Sequence, residues 1–533
     1  MTGAGGPPKT IHHRERTMTL RDRREFLRAV GHGTLLAGIG TAAAVELGLC
    51  PAWADQDPPA LDFGPREPLV RLLQDTPPEK LIAVVIGKLR SGTGLDDLVA
   101  AAALANARTF AGEDYIGFHT MMALVPARCM AAELPAAQAA LPVLKVLHRN
   151  AQRITAVGGR ATEKLRQVAA SGPAPSSPTA VRDAIRRGDL QGAEDRLAAA
   201  VTESPERGFG QVLTAVEDGL EVHRVVMPHR AWELVNLVGR EHAFTLLRQS
   251  VHYCAINDAN PQYAERFAGL REKVASLMDR VPPEVASRQA DDAWVDGLAR
   301  QIISSSPAVA ADLVAAALDE GFPAITIGEA VGLAAADLVL RDPGRSSQAA
   351  SEGKPAGSVH GDSTGVHACD AINALRGMAL VDGGRHAAAC LVLAAWEVAS
   401  DAGYRRGEFS VDLPYPHAAA LTGLTATDPG VLLRSANEAI VAGEQALAAA
   451  AVERYGRLGG PPRPVFEMLL RYAVSEDGAL HAEKFYRTVS EAFETARPAL
   501  RWRHLVALAR VTASEYGTPA PGIAEARSLL GLS

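Results

Sequence analysis

Residues 359–378, VHGDSTGVHACDAINALRGM, admit two folds. Gly361-Asp362-Ser363-Thr364-Gly365 spells G-x-S-x-G, the nucleophile elbow of an α/β hydrolase, while His360 and His367 flank the start of an apolar helical pattern. An elbow requires a buried apolar strand that delivers the serine onto a strained turn. The residues before it here are SEGKPAGS, a polar and glycine-bearing loop, and no HGGG-like oxyanion segment lies upstream. Asp362, Ser363 or Thr364 is better explained as the cap of a helix running from about Gly365 to Leu380, because a short polar side chain satisfies the free amides of a first turn. The hydrolase reading through Ser363 therefore yields to a helical one, and the histidines become the informative residues.

The rest of the chain agrees with a helix. Of 533 residues 47% are hydrophobic but only 5% aromatic, and alanine runs recur at 100–103 and 448–451. Alanine is the best helix former and a poor strand former. Helical spacing places Leu246, Leu247, Val251 and Cys254 on one face, and Leu391, Val392, Ala395 and Val398 on another. Runs such as Val84-Val85-Ile86 and Ile325-Thr326-Ile327 are too short and scattered for a sheet. The expectation is an all-α protein, a multi-helix bundle or an irregular array of helical hairpins around a central cavity. Pro, Gly and Ser clusters at 171–178, 342–358 and 456–464 punctuate it. They suggest an N-terminal helical block over 55–340, a flexible loop over 341–358 and a C-terminal helical block over 359–533.

The first 54 residues read differently. Arg21-Asp22-Arg23-Arg24-Glu25-Phe26-Leu27-Arg28 precedes a weakly hydrophobic stretch from Ala29 to Leu49 and the A-x-A site Ala52-Trp53-Ala54. This resembles a twin-arginine signal peptide, with the export machinery as partner and the periplasm or cell exterior as destination. Met18 is an alternative start, and Cys50 follows Leu47-Gly48-Leu49, a poor context for lipidation. No stable membrane span is expected in the mature chain. A net charge of −7 without a basic block excludes nucleic acid as a partner. Cys129, Cys254, Cys369 and Cys390 form no C-x-x-C pair, so they read as buried thiols or as up to two disulfides.

Histidines carry the candidate chemistry. FHTMMALVPA, MPHRAWELVNLVG, VHACDAINALRG and LHAEKFYRTVSEAF each set a histidine (His119, His229, His367, His481) in the first turn of a predicted helix. A following helix then holds His148, His242 with His252, His386 or His504. Helical spacing puts Glu233 one turn from His229 and Asp370 on the face of His367, so His229 and His367 are candidate metal ligands or acid/base groups, with Glu233 and Asp370 to orient or co-ligate them. His119, His223 and His360 complete the candidate set. A lone histidine on an apolar helix is ordinarily a satisfied core residue, and the chain has no H-E-x-x-H, no di-iron E-x-x-H, no G-x-x-x-x-G-K-[ST] and no strand-associated G-x-G-x-x-G. The cofactor expectation is a transition metal bound by histidines, beside a small-molecule ligand.

GFHTMMALVPA, VHRVVMPHRAWELV and HGDSTGVHACDAINALR together resemble the questin oxidase-like family of helical proteins, over about residues 110–400. The resemblance implies an oxidoreductase acting on an aromatic or polyketide-like molecule, with His119, His223, His229, His360 and His367 lining its pocket. The competing expectation is a non-catalytic helical-repeat scaffold or binding protein of the periplasm, its histidines merely packed.

Overall fold

The computed structural model describes residues 60–168, 172–267, 269–279, 287–404 and 414–532. The twin-arginine segment, with Met18 and Cys50, lies outside them. The fold is all-α: the described residues form 24 α-helices and no strand, with three isolated bridges as the only β pairing. None of these helices is long and apolar enough to cross a membrane.

Ten helices concern the site: α1 (Leu95–Phe110), α2 (Tyr115–Glu133), α3 (Leu141–Ala156), α4 (Val222–Val238), α5 (Ala243–Asp258), α6 (Ala324–Arg341), α7 (Thr364–Asp382), α8 (Gly384–Tyr404), α9 (His481–Thr495) and α10 (Trp502–Glu515). Composition explains α1 and α6. Every residue of α1 from Leu98 to Phe110 is buried, and its alanines let neighbouring helices approach on all sides. The polar residues of that helix have partners on other elements: Asn106 donates its amide to Thr120 Oγ1 and Asn150 Oδ1, each at 2.8 Å, and Arg108 pairs with Glu67 and Glu163 at 2.9 and 3.1 Å. Gly117 is needed where α2 crosses the end of α1, since a Cβ there would stand 2.6 Å from the Phe110 ring.

Helices from before and after residues 341–358 pack together, α4 on α7 and α2 on α9. Buried Lys145 on α3 ties the two stretches, donating to the carbonyls of Ala473 (2.9 Å) and Glu476 (2.7 Å) and pairing with Glu483 at 2.6 Å. The segment between them has no helix but closes on itself, Arg345 N to Ser358 O at 3.0 Å and Gly357 N to Arg345 O at 2.8 Å. Cys129, Cys254, Cys369 and Cys390 are free thiols, the last three buried.

His252 on α5 illustrates how a second-helix histidine is used. Its Nδ1 meets Glu113 at 2.9 Å and its Nε2 meets Glu194 at 2.6 Å, so both ring nitrogens donate to carboxylates and the ring is an imidazolium. Burial alone would lower its pKa, but the two carboxylates outweigh burial and hold it above the ordinary value. A raised value means stabilisation that is complete below the unfolded pKa of about 6.5 and lost as pH rises through the folded one. The unfolding free energy of wild type minus that of His252→Gln should thus narrow between about pH 6 and pH 9. A difference that stays constant across that range would contradict the clamp.

Candidate functional site

Four histidines meet where four helices begin. His223 (α4), His367 (α7) and His481 (α9) lie in first turns and His119 is the fifth residue of α2, and their ring centroids are 4.7 Å (119 to 223), 5.2 Å (119 to 481), 6.0 Å (223 to 367) and 5.2 Å (367 to 481) apart. Nε2 faces Nε2 in two pairs, His119 with His223 at 3.2 Å and His367 with His481 at 3.1 Å.

Each helix start is built to hold its histidine. Asp114 caps α2 by accepting from Gly117 N at 2.8 Å and is itself gripped by Arg153. Ser363 caps α7 by accepting from Val366 N, as expected of the G-x-S-x-G serine. Glu221 caps α4, accepting the amides of His223 and Arg224 at 3.0 and 3.2 Å, the His223 Nδ1 proton at 2.6 Å and the Tyr253 hydroxyl at 2.7 Å. Burial opposes its charge, but His223, Tyr253 and the amides overcome burial and bring its pKa down to about 2. The α9 start has no side-chain cap. It is reached through Ala479 and Leu480, consecutive residues with φ of 49° and 68°. Left-handed backbone costs a non-glycine residue about 1–2 kcal/mol, and here that strain sits directly before His481. Behind His481, buried Glu515 accepts from Gly361 N at 2.7 Å, and burial pushes its carboxyl up to about 7.

Hydrogen bonds fix the tautomers. A carbonyl can only accept, so His119 Nδ1 carries a proton to Tyr115 O (2.7 Å) and His481 Nδ1 carries one to Gly478 O (3.2 Å). His223 Nδ1 likewise donates to the ionised Glu221. As neutral rings, His119 and His223 therefore turn bare Nε2 lone pairs on each other at 3.2 Å, a repulsive arrangement unless a cation lies there. A proton on His119 is disfavoured, because burial, and after it the charge of Lys484, hold that ring well below the ordinary imidazole value, so the cation is either a metal ion between the rings or a proton on His223 Nε2 that is donated to His119 and balanced by Glu221. Burial does the same to His481 and brings His367 to about 3. The second pair is free of this conflict, since His367 Nε2–H can donate to His481.

Two nitrogen ligands each about 2.0–2.1 Å from one ion stand roughly 3 Å apart, which is the spacing within each pair. Among the described residues no group of three or more His, Cys, Asp or Glu side chains is arranged to hold a metal ion. Each histidine pair taken alone is at ligand spacing. The donor set fits a transition ion all the same: Nε2 inward, Nδ1 outward to a carbonyl or carboxylate, is how protein imidazoles are oriented for metals. Tyr115, 58% exposed, packs its ring 4.5 Å from that of His119 and stands between the cluster and solvent.

The remaining sequence candidates lie elsewhere or play other parts. His229 is not in a first turn: α4 begins at Val222, capped by Glu221, and carries Pro228 within it, so His223 occupies the position expected of His229. His229 instead presses on Gly377, where a Cβ would come within 2.2 Å of its Nε2, and its Nδ1 has no partner. Glu233 pairs with Arg230 at 2.6 Å and makes no hydrogen bond to His229. His360 is buried and bonded to Ser358 Oγ at 2.9 Å, apart from the four rings. Asp370 is buried beside the cluster, its Oδ1 accepting from Thr488 at 2.9 Å, and burial raises its pKa. Sequence reasoning noticed His481 as a first-turn histidine but did not choose it. Glu221, Tyr115 and Lys484 were missed, although E-x-H at a helix start is a visible cue for Glu221. Compared with known families, characterised proteins and solved structures, the chain matches none.

Proposed function

We propose that His119, His223, His367 and His481 hold a transition-metal ion and that the chain is an exported oxidoreductase acting on an aromatic or polyketide-like small molecule, as the questin oxidase-like resemblance implies. The observation that carries the metal reading is the approach of Nε2 to Nε2 on His119 and His223 while both Nδ1 atoms are committed outward, an arrangement that calls for a metal ion or a proton between them. Imidazole nitrogens suit iron, copper, nickel and zinc, and an oxidoreductase would draw on the redox-active ones. Such an ion supplies electron transfer and an open coordination position for substrate or oxidant. The residues around it bind and orient: Glu221 and the carbonyls of Tyr115 and Gly478 fix ring tautomers, Phe118 stacks on His119 at 5.1 Å, and Tyr115 limits access of water.

Elemental analysis and an absorption spectrum of the protein exported through its own signal test this. One ion per chain is expected in wild type and in His229→Ala, and none in a folded His119→Ala/His223→Ala variant. Protein free of metal, or metal retained by the double variant, would reject the reading. Metal-free protein would favour a second one: His223 as an imidazolium balanced by Glu221 and donating to His119, an acid/base relay ending at Tyr253.

A further inference from the structure

Lys484 lies one turn beyond His481 on α9. It is only 3% exposed, and its ammonium makes no hydrogen bond or ion pair. Its place one turn from His481 on the same helix sets it beside the cluster, and its charge bears on His119, His367 and His481 alike. The facing negative group is Asp370, but Oδ1 of Asp370 is engaged by Thr488 and Oδ2 has no partner at all. Glu483, its chain neighbour, is committed to Lys145. An ammonium taken out of water without a partner is costly, so a buried unpaired one is a vacancy for negative charge.

The backbone adds to this. Helices of 19, 17, 19 and 15 residues all direct their N-termini at the four rings. Each N-terminus carries about half a positive charge; Asp114 and Glu221 offset two of them, Ser363 satisfies an amide of the third without adding charge, and α9 has no side-chain cap, Glu483 being the acidic residue of its first turn. A metal ion held by four neutral imidazoles would add positive charge to a region already positive. Glu221 is the ionised carboxylate in contact with the rings, and its charge is spent on four hydrogen bonds.

We propose that Lys484 and the uncapped start of α9 receive an anionic oxygen of the substrate, a carboxylate or an ionised phenol or enol, beside the imidazole cluster. The assignment names the substrate's chemical class and rests on the metal reading only for what the anion does once bound. Lys484 is then a binding residue: it donates to the anion and holds it within reach of the rings, and negative charge brought there offsets the four helix ends.

The test uses benzoate and 4-nitrophenolate as probes, with benzamide and nitrobenzene as neutral counterparts. Affinities are measured by calorimetry on cobalt(II)-loaded and on metal-free wild type, Lys484→Met and Lys484→Gln. At least one anion should bind wild type, its neutral counterpart should not, and both variants should weaken that anion about tenfold or more. Which anion responds distinguishes the carboxylate from the phenolate. Cobalt affinity and unfolding midpoint should be retained or raised, because the variants remove an unpaired buried positive charge. Cobalt binding retained with anion affinities unmoved by Lys484→Met overturns this proposal and spares the metal reading. Failure of cobalt to bind, with Lys484-dependent anion binding on the metal-free protein, does the reverse. If neither anion binds wild type in either form, the proposal is wrong.

Discussion

Lys145→Ala is expected to cost about 3–5 kcal/mol of unfolding free energy. The substitution strands Glu483, which is 0% exposed, and leaves the carbonyls of Ala473 and Glu476 without their donor. A buried charge deprived of its partner costs more than the pair contributes, so Lys145→Met combined with Glu483→Leu should recover most of the loss. Denaturant unfolding followed by circular dichroism measures both. A single-variant loss below about 1 kcal/mol would mean that Glu483 finds water or another cation, and the tie between the early and late helices would be weaker than its geometry suggests.

Glu221→Ala should act on stability and on the site together. It removes the α4 cap, worth about 1 kcal/mol, and strands the Tyr253 hydroxyl, worth about 1–3 kcal/mol more. It also frees the His223 ring to rotate or change tautomer. Loss of such an outer partner lowers metal affinity about 10–100-fold. Glu221→Gln keeps the volume and one acceptor oxygen, so it should retain more stability than Glu221→Ala while still losing affinity. Competition of cobalt(II) against a chelator measures the affinity. Unchanged affinity in a folded Glu221→Ala protein would show that packing against Phe118 and Tyr115, and no hydrogen bond, orients His223.

Local chemistry was legible in the sequence, and long-range pairing was not. Ser363 was readable as a cap because loop residues precede it and an apolar helical period follows, and α7 begins at the next residue. The expectation that His229 lies in a first turn does not hold: the helix begins at Val222 under the Glu221 cap, and Pro228 is accommodated inside α4. His223 thereby replaces His229 in the cluster. Nothing local distinguishes His367 and His481, which meet Nε2 to Nε2, from His360 and His504, which do not. That choice is made by how α7 lies on α9, which depends on contacts such as Asp370 with Thr488 and Asn373 with Glu491 at 2.5 Å. Lys484 was invisible for the same reason, since a lysine on an amphipathic helix ordinarily reaches water.

The four rings come from chain positions as far apart as 119 and 481, and this has a consequence for biosynthesis. At ordinary translation rates the ribosome needs on the order of tens of seconds to pass from one to the other. Throughout that interval His119 and His223 are synthesised without the helices that complete their surroundings, and neither α7 nor α9 exists to cover them. The cluster can be assembled only after nearly the whole polypeptide has left the tunnel. A metal ion held by all four rings, as proposed, would therefore be loaded after translation, and truncated products would lack part of its ligand set.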